Sequence, residues 1–154
     1  MKKQRKKQID GMVDVSPKEV TKRVARAESV ITLSPKGFAA LLDGGSPKGD
    51  AFETAKIAGI MAAKSTPSII PMCHPLALNK VKVTFKVVEE RGQVVTTAEV
   101  VCLGRTGVEM EALAAVSVAS LTIYDMMKWA DRGAVITQTR LLHKRGGKTG
   151  DYDA

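Results

Sequence analysis

The chain has 154 residues, of which 44% are hydrophobic and 26% are charged. Both fractions are ordinary for a globular domain, and a chain of this length buries enough surface to fold without covalent cross-links. Two cysteines are too few for a disulfide framework or a four-cysteine zinc site. No apolar run approaches the ~18 residues of a membrane span, and no apolar segment follows the basic N-terminus. We therefore expect a soluble protein of the cytoplasm.

The net charge of +8 is concentrated at the N-terminus. Residues 1–10 hold five lysines and arginines and a single aspartate, so they contribute +4 of it. We expect this segment to be a disordered basic tail, because it has almost no apolar side chains. Residues 11–154 then form a single domain with a mild positive bias. That bias suits an anionic small molecule as well as a nucleic acid.

The first half of the domain predicts a strand followed by two helices. Alternation of small and apolar residues over 24–33 indicates a strand. Ser34, followed by a proline, is a typical helix start, and that helix runs to Asp43. Asp50 caps a second helix, which Pro67 ends. The predicted apolar face of this second helix consists of Phe52, Ile57, Ile60, Met61 and Ala63.

The second half predicts a hairpin, a long helix and a last strand. Strict alternation over 80–88 and a second run over 93–103, joined by a turn that contains a glycine, predict a β-hairpin. Thr106 caps a helix that runs to about Ala130 and is apolar nearly all round. We expect this helix to be buried in the fold or covered by another subunit. Residues 134–145 form the last strand.

The predicted order of elements is strand, helices, strand, strand, helix, strand. This is the split βαβ, ferredoxin-like arrangement. We therefore expect an α+β domain whose antiparallel sheet carries helices on one face. The other face of the sheet is then solvated or buried in an oligomer.

Two glycine-rich basic stretches are candidates for anion binding. In residues 43–50, Lys48 lies just before a helix N-terminus, where backbone amides and the helix dipole favour an anion. A flexible turn with a solvated lysine is an equal alternative. Residues 147–149 resemble the end of a P-loop, but Leu142 stands where that pattern needs its first glycine. Lys144 and its neighbours could still meet a phosphate, although a solvated tail is the commoner outcome.

Cys73 and His74 lie in a short segment with a proline on each side. The prolines constrain the backbone, which suits a positioned hydrogen-bond donor or acid/base group, whereas a buried and satisfied histidine is the alternative. The spacings of the two histidines and two cysteines match no zinc motif, so we predict no metal site. Cys73 and Cys102 are predicted to be small core residues.

The long helix carries a carboxylate in an unfavourable place. Asp125 lies among apolar residues near the negative end of the helix dipole, so it needs a partner, and Lys128 shares its face. A salt bridge and a proton-transfer pair both fit this pattern. Glu111 lies on a similar side but about 21 Å away along the axis. The two carboxylates therefore serve different purposes, or a site is built between subunits. Glu109 and Glu111 also complement the helix dipole.

Seven motifs in sequence order resemble the MoaC family, the cyclic pyranopterin monophosphate synthases of molybdenum cofactor biosynthesis. They are MVDVS at 12–16, KGD at 48–50, IAGI at 57–60, CHPL at 73–76, TGVEMEAL at 106–113, LTIYDM at 121–126 and GGK at 146–148. The resemblance extends over about residues 11–152, so only the basic tail falls outside it.

The resemblance implies a phosphorus–oxygen lyase. Its substrate would be (8S)-3′,8-cyclo-7,8-dihydroguanosine 5′-triphosphate, and its products cyclic pyranopterin monophosphate and pyrophosphate. No cofactor is required, although Mg²⁺ could accompany the triphosphate. The resemblance also implies a homohexamer, built as a trimer of dimers with sites between subunits, and no nucleic-acid or membrane partner.

The resemblance also implies roles for individual residues. Asp125 would be the catalytic acid/base with Lys128 as its partner, and Lys48 and Lys144 would act on the triphosphate and the departing pyrophosphate. The residues expected to contact substrate are Met72, Cys73, His74, Met110, Glu111, Lys144, Glu109, Arg23 and Arg26.

Two other functions are compatible with parts of the sequence. A nucleic-acid-binding module would explain the basic tail and the ferredoxin-like order, but such sheets stack bases on aromatic residues, which are only 4% of this chain. A ligand-sensing domain without catalysis would explain Lys48, but it gives no role to Asp125 beside Lys128.

Overall fold

The computed structural model describes residues 11–44 and 46–154. The strands in this part of the chain are β1 (Thr21–Thr32), β2 (Leu78–Val88), β3 (Gln93–Gly104), β4 (Val135–Arg145) and β5 (Tyr152–Asp153). The helices are α1 (Pro35–Leu42), α2 (Ala51–Ile69) and α3 (Glu109–Met127), and a 3-10 turn, Glu89–Arg91, joins β2 to β3. The predicted tail, residues 1–10, lies outside the described residues.

The strands form one antiparallel sheet in the order β2-β3-β1-β4-β5. The first four strands follow the split βαβ order, with α1 and α2 in the first crossover and α3 in the second. The predicted α+β, ferredoxin-like fold is therefore confirmed. The short β5 is an addition that the sequence pattern did not predict, and it pairs with β4 at His143 and Lys144.

The central strands bury one face against the helices. β1 turns Ala25, Ala27 and Ile31 toward them, and β3 does the same with Val94 and Val100. Because side chains alternate between the two faces of a strand, the residues between these point to the other face, where they are partly exposed. The small alanines let α3 lie close to the centre of the sheet. The long helix is therefore a core helix, as predicted.

α2 packs on α3 through small residues rather than through the apolar face that the sequence predicted. Ala55 and Gly59 face the core, and a side chain at Gly59 would lie 2.9 Å from the carbonyl oxygen of Ala115. Ile57 and Met61 point outward and are 62% and 53% exposed. The prediction that these two are buried was wrong, because the close approach of two helices leaves room only for small side chains. The other three members of that face pack on the core.

The first turns of α1 and α2 are capped as predicted, but α2 does not end at the predicted residue. Ser34 and Asp50 each accept a backbone N–H from the first turn of their helices, at 3.2 and 2.9 Å. Pro67 lies inside α2, so the prediction that it ends the helix was wrong. A proline removes its own amide bond and crowds the carbonyl four residues before it, but the helix continues for two more residues here. The N–H of Ile70 still donates to the carbonyl of Thr66 at 2.8 Å.

The prediction that α3 runs from a cap at Thr106 to Ala130 was wrong at both ends. Val108 precedes the first helical residue and makes no side-chain capping bond. At the other end, the buried carboxylate of Asp131 accepts the backbone N–H of Ser34 at 2.6 Å. This bond draws the chain out of the helix toward the start of α1. The helix therefore ends earlier than its apolar pattern indicates.

Among the described residues, α3 alone has the length and apolar composition of a helix that could cross a membrane. Half of its most apolar window is buried inside the fold. The core helix of a globular domain meets the same two criteria, so this feature alone does not indicate a membrane protein.

Candidate active site

Lys48, Asp125 and Lys128 form an ion cluster at the C-terminal end of α3. The Nζ atom of Lys48 lies 2.6 Å from Oδ2 of Asp125, and that of Lys128 lies 2.7 Å from Oδ1. All three side chains are about half exposed. The predicted salt bridge between Asp125 and Lys128 is thus present, and Lys48 joins it from 77 positions away in the sequence.

Local structure fixes the members of this cluster. Lys48 lies on the loop between α1 and α2, where its N–H donates to Oγ of Ser46 at 3.2 Å and Asp50 caps the following helix. Asp125 and Lys128 share a face because they are three residues apart at the end of α3. The cluster is therefore held by two separate elements.

The two lysines lower the pKa of Asp125 to about 2, chiefly through the hydrogen bond from Lys128 and then through that from Lys48. At neutral pH this carboxylate is ionised, so it only accepts hydrogen bonds. The protons of the cluster are on the two ammonium groups, which Asp125 holds in place.

A second group of polar residues lies at the N-terminal end of α3. Lys144 donates hydrogen bonds to Oε1 of Glu109 at 2.9 Å and to Oγ1 of Thr149 at 3.3 Å. The strand register explains the contact, because Lys144 pairs with Ala25 and so points to the helix side of the sheet. Both charged side chains of this pair are largely buried.

Glu111 lies next to this pair but in a different environment. It is only 3% exposed, and no basic side chain among residues 11–44 and 46–154 is within ion-pair distance of it. Burial raises the pKa of Glu111. Burial, and then the charge of Glu111, also raises the pKa of the thiols of Cys73 and Cys102. The prediction that both cysteines belong to the core holds only for Cys102, because Cys73 is partly exposed.

The segment that contains His74 is held by an N-terminal stretch of the chain. Nε2 of His74 lies 2.8 Å from the carbonyl oxygen of Val13. Because a carbonyl only accepts, Nε2 donates in this contact. Met72 is exposed beside it, and Met110 is exposed on the first turn of α3. No motif predicted the contact with Val13, since it uses a backbone atom.

A cavity of about 350 Å³ lies beside the N-terminal end of α3 and is called the cationic cavity below. Its lining residues are Lys18, Glu19, Thr21, Arg23, Arg105, Thr106, Gly107, Lys144, Gly147, Lys148 and Thr149. The Oγ1 atom of Thr21 is buried and has no hydrogen-bond partner among the described residues. Sequence reasoning missed Lys18 and Arg105, which no motif distinguishes from other surface cations. They meet because β1 and β3 are antiparallel and pair Thr21 with Gly104.

The structure separates the two arginines of β1 that were expected to contact phosphate. Arg23 is buried on the helix side of the sheet and lines the cationic cavity. Arg26 is exposed and pairs in register with Glu99 and His143 on the opposite face. Residues three apart in a strand point to opposite faces. Arg26 is therefore not brought to the other candidate residues.

The ion cluster and the cationic cavity lie at opposite ends of α3. The helix positions of Glu109 and Asp125 differ by 16 residues, which places them about 24 Å apart along the axis. One chain therefore does not unite the two groups. Among the described residues, no group of three or more His, Cys, Asp or Glu side chains converges as a metal site would require.

The α+β fold thus carries two groups that are typical of enzymes acting on small polyanions: a cavity with five basic residues in its lining, and a carboxylate between two lysines. Comparison with known proteins identifies which class this is. The model of the MoaC family matches residues 12–147. The chain belongs to the MoaC family, as its seven motifs predicted.

Curated relatives match over most of their length. The cyclic pyranopterin monophosphate synthase of Streptomyces griseus is 55% identical over 141 residues, which cover 92% of this chain and 78% of that protein. Those of Geotalea uraniireducens and Parvibaculum lavamentivorans are each 52% identical, over 92% and 93% of this chain and 88% and 89% of theirs. A solved structure of a ferredoxin protease with Arabidopsis ferredoxin has a TM-score of 0.35 at 11% identity, covering 73% of this chain and 10% of that one. A likeness this weak supports no argument.

Proposed function

We propose that this chain converts 3′,8-cyclised dihydroguanosine triphosphate into cyclic pyranopterin monophosphate and pyrophosphate in molybdenum cofactor biosynthesis. Membership of the MoaC family and three relatives with this activity in their names support the proposal. They do not favour the nucleic-acid-binding and ligand-sensing alternatives. We place the enzyme in the cytoplasm, where its two free cysteines stay reduced.

The reaction needs both proton transfer and charge stabilisation. Closing the cyclic phosphate joins a substrate hydroxyl oxygen to the α-phosphorus and breaks the bond from that phosphorus to the pyrophosphate oxygen. The hydroxyl proton must be accepted, and the leaving group gains negative charge. Rearrangement of the ring requires further proton transfers. A site for this chemistry therefore combines proton-carrying groups with cations that face the phosphates.

The observation that carries the proposal is the cluster of Lys48, Asp125 and Lys128. The two lysines carry its protons and also offer positive charge to the phosphates. Asp125 stays ionised because its pKa is about 2, so it orients both ammonium groups. This division of labour refines the acid/base role that the resemblance implied for Asp125. All three residues are catalytic in this proposal, because each is within reach of a ligand at the exposed end of α3.

The other end of α3 holds the rest of the substrate. Met72 and Met110 have exposed apolar side chains, and those of Cys73 and His74 are partly exposed, so we assign these four residues to the ring system. We assign proton exchange with that ring to Glu111, because burial favours its protonated form and so raises its pKa.

We place the phosphates in the cationic cavity. There Lys144, which donates a hydrogen bond to Glu109, lines the wall together with the other basic residues. Mg²⁺, where it takes part, would be held through the triphosphate rather than by a protein cage.

We propose that the complete site is shared between two subunits. The ion cluster and the cationic cavity are about 24 Å apart along one helix, with the core of the fold between them. A second copy of the chain would bring its own ion cluster to the cavity of the first. A homohexamer built as a trimer of dimers, the assembly that the family resemblance implies, provides such pairs.

Release of pyrophosphate from the cyclised triphosphate tests the proposed function. We expect release by the wild type and a loss of about 10²–10⁴-fold in Asp125→Asn, because the amide no longer anchors two ammonium groups. Glu90→Gln is the matched control, since it neutralises an exposed carboxylate on the turn between β2 and β3. We expect wild-type turnover from it. No release by a folded wild-type oligomer would refute the proposed activity.

A further inference from the structure

Arg23 lies near the start of β1, and its guanidinium is bound by backbone atoms. Nε donates to the carbonyl oxygen of Gly104 at 3.2 Å, Nη1 to that of Gly146 at 3.1 Å and Nη2 to that of Arg105 at 3.1 Å. All three nitrogens are thus engaged by carbonyls, and the residue is only 8% exposed. Three of its five N–H donors therefore bind the protein's own backbone.

These bonds join two segments that are distant in sequence. Residues 104–107 connect β3 to α3, and residues 146–149 follow β4. Both segments line the cationic cavity, one with Arg105 and the other with Lys148 and Thr149. The partner carbonyls are 81 to 123 residues from Arg23. The arginine therefore fixes the distance between two walls of the cavity.

The glycines of the second segment are shaped around this guanidinium. Gly146 and Gly147 have φ of +99° and +91°, which side chains rarely adopt. A Cβ at Gly147 would lie 1.9 Å from Nη1 of Arg23, and one at Gly146 would lie 2.3 Å from the carbonyl oxygen of Lys22. The segment can pass over the arginine only because it has no side chains there.

We propose that Arg23 is a positioning residue that sets the spacing of the cations in the cationic cavity, rather than a ligand of the phosphates. Only arginine suits this role, because its planar fork offers donors in several fixed directions, whereas a lysine ammonium is a single point charge. The three hydrogen bonds from Arg23 to the carbonyls of Gly104, Arg105 and Gly146 are called the clamp below. The proposal rests on the proposed function in one respect: the anion that the cavity binds is the triphosphate.

Two variants remove the clamp from different sides. Arg23→Lys keeps the charge but loses the fork, and Gly147→Ala places a methyl group where the guanidinium lies. Gly150→Ala is the matched control, because Gly150 also has a positive φ, of +79°, but a Cβ there meets nothing within 4 Å. The control therefore introduces similar backbone strain in the same segment without touching Arg23.

Amide hydrogen exchange, measured without substrate, reads the clamp directly. We expect Arg23→Lys and Gly147→Ala to speed exchange in residues 104–107 as well as in 146–149, whereas Gly150→Ala leaves 104–107 unchanged. Both clamp variants should also raise the Kd for pyrophosphate and the KM for the triphosphate about tenfold, with a smaller change in kcat. A residue that only supports the fold would not separate KM from kcat in this way.

The opposite pattern would overturn the proposal. If Arg23 acts only as a direct phosphate ligand, both variants weaken pyrophosphate binding, but exchange in 104–107 stays at the wild-type rate in both. Should Arg23→Lys fail to fold, Gly147→Ala still decides the question. Hydrogen exchange does not depend on turnover, so a wild type without synthase activity would refute the proposed function and leave this measurement interpretable.

Discussion

The two ends of α3 place a carboxylate in opposite surroundings. Asp125 is about half exposed and lies between two lysines, so its pKa falls to about 2. Glu111 is 3% exposed, has no ion-pair partner in the described part of the chain, and has a raised pKa. The surroundings of Asp125 favour its ionised form, and those of Glu111 favour its protonated form. The surroundings, rather than the residue type, set the chemistry.

The helix dipole alone would shift the pKa of each of these two carboxyl groups in the opposite direction. It favours the ionised form of Glu111 near the N-terminal end and disfavours that of Asp125 near the C-terminal end. The pKa shifts of the two groups run opposite to both effects. At Asp125 the direct hydrogen bonds from two ammonium groups are stronger than a dipole acting through solvent. At Glu111 the loss of hydration on burial dominates.

Glu111→Gln should lower turnover as strongly as Asp125→Asn does. The amide keeps the shape of the side chain but cannot exchange a proton, so we expect kcat to fall about 10²–10⁴-fold. Stability should stay the same or rise, because the amide has no ionised form, whose burial is unfavourable at this position. Pyrophosphate release and urea unfolding measure the two effects.

Glu53→Gln is the control for this change, because Glu53 also lies in the first turn of a helix but is exposed. We expect normal turnover from it and a loss of only about 0.3–1 kcal/mol in unfolding free energy. Wild-type turnover in Glu111→Gln, combined with lower stability, would show that Glu111 is a structural residue.

Gly59→Ala perturbs the middle of α3 and leaves both ends in place. The added Cβ would lie 2.9 Å from the carbonyl oxygen of Ala115 and 3.3 Å from Cβ of Ala119. Overpacking costs about 1–3 kcal/mol, and the higher helix propensity of alanine returns about 1 kcal/mol. We expect a net loss of up to about 2 kcal/mol in unfolding free energy with little change in KM.

Gly133→Ala provides the comparison for that variant, since its Cβ meets only Oδ1 of Asp131 at 3.4 Å. It should change the unfolding free energy by less than about 0.5 kcal/mol. If Gly59→Ala is instead more stable than the wild type, the close packing of α2 on α3 is not the constraint described here.

The pH dependence of stability should be the smallest effect and should differ in sign between the two ends. The folded pKa of Asp125 lies below its usual 3.8, so its stabilising effect is complete above that value and is lost as the pH falls toward 2. The folded pKa of Glu111 lies above its usual 4.5, so its contribution is complete below that value and is lost as the pH rises.

Urea unfolding at several pH values separates these two contributions. The unfolding free energy of Asp125→Asn should be lower than that of the wild type at pH 5, and this difference should shrink toward about pH 2. Added salt should also reduce the difference, because the cluster is exposed. The unfolding free energy of Glu111→Gln should increase relative to that of the wild type as the pH rises from about 4 to 7. If the unfolding free energies of all three proteins change with pH in the same way, the two carboxyl groups do not have opposite environments.

Local patterns were sufficient for the fold and for part of the site. Strand alternation and the capping residues predicted the order of elements, and the spacing of Asp125 and Lys128 predicted their ion pair. Lys48 had only a local reason to bind an anion. Its contact with Asp125 is a long-range one that depends on how α2 packs against α3, so spacing alone could not reveal it.

Other features needed the three-dimensional structure. Ile57 and Met61 look like core residues by hydrophobicity, but the close approach at Gly59 turns them outward. Lys18 and Arg105 join the cationic cavity only through the pairing of β1 with β3. The position of Arg26 was within reach of sequence reasoning, because it differs in parity from Arg23 along one strand.

Mixing two inactive variants tests whether one subunit's ion cluster completes the cavity of another. Asp125→Asn and Glu111→Gln are each purified, combined, unfolded and refolded together, and assayed for pyrophosphate release. If sites are shared, half of the random pairs are mixed and each mixed pair has one intact site, so about a quarter of the wild-type activity should return. If every site lies within one chain, all sites keep one defect. Activity that stays at the level of the separate variants, in a refolded oligomer, would contradict the shared site.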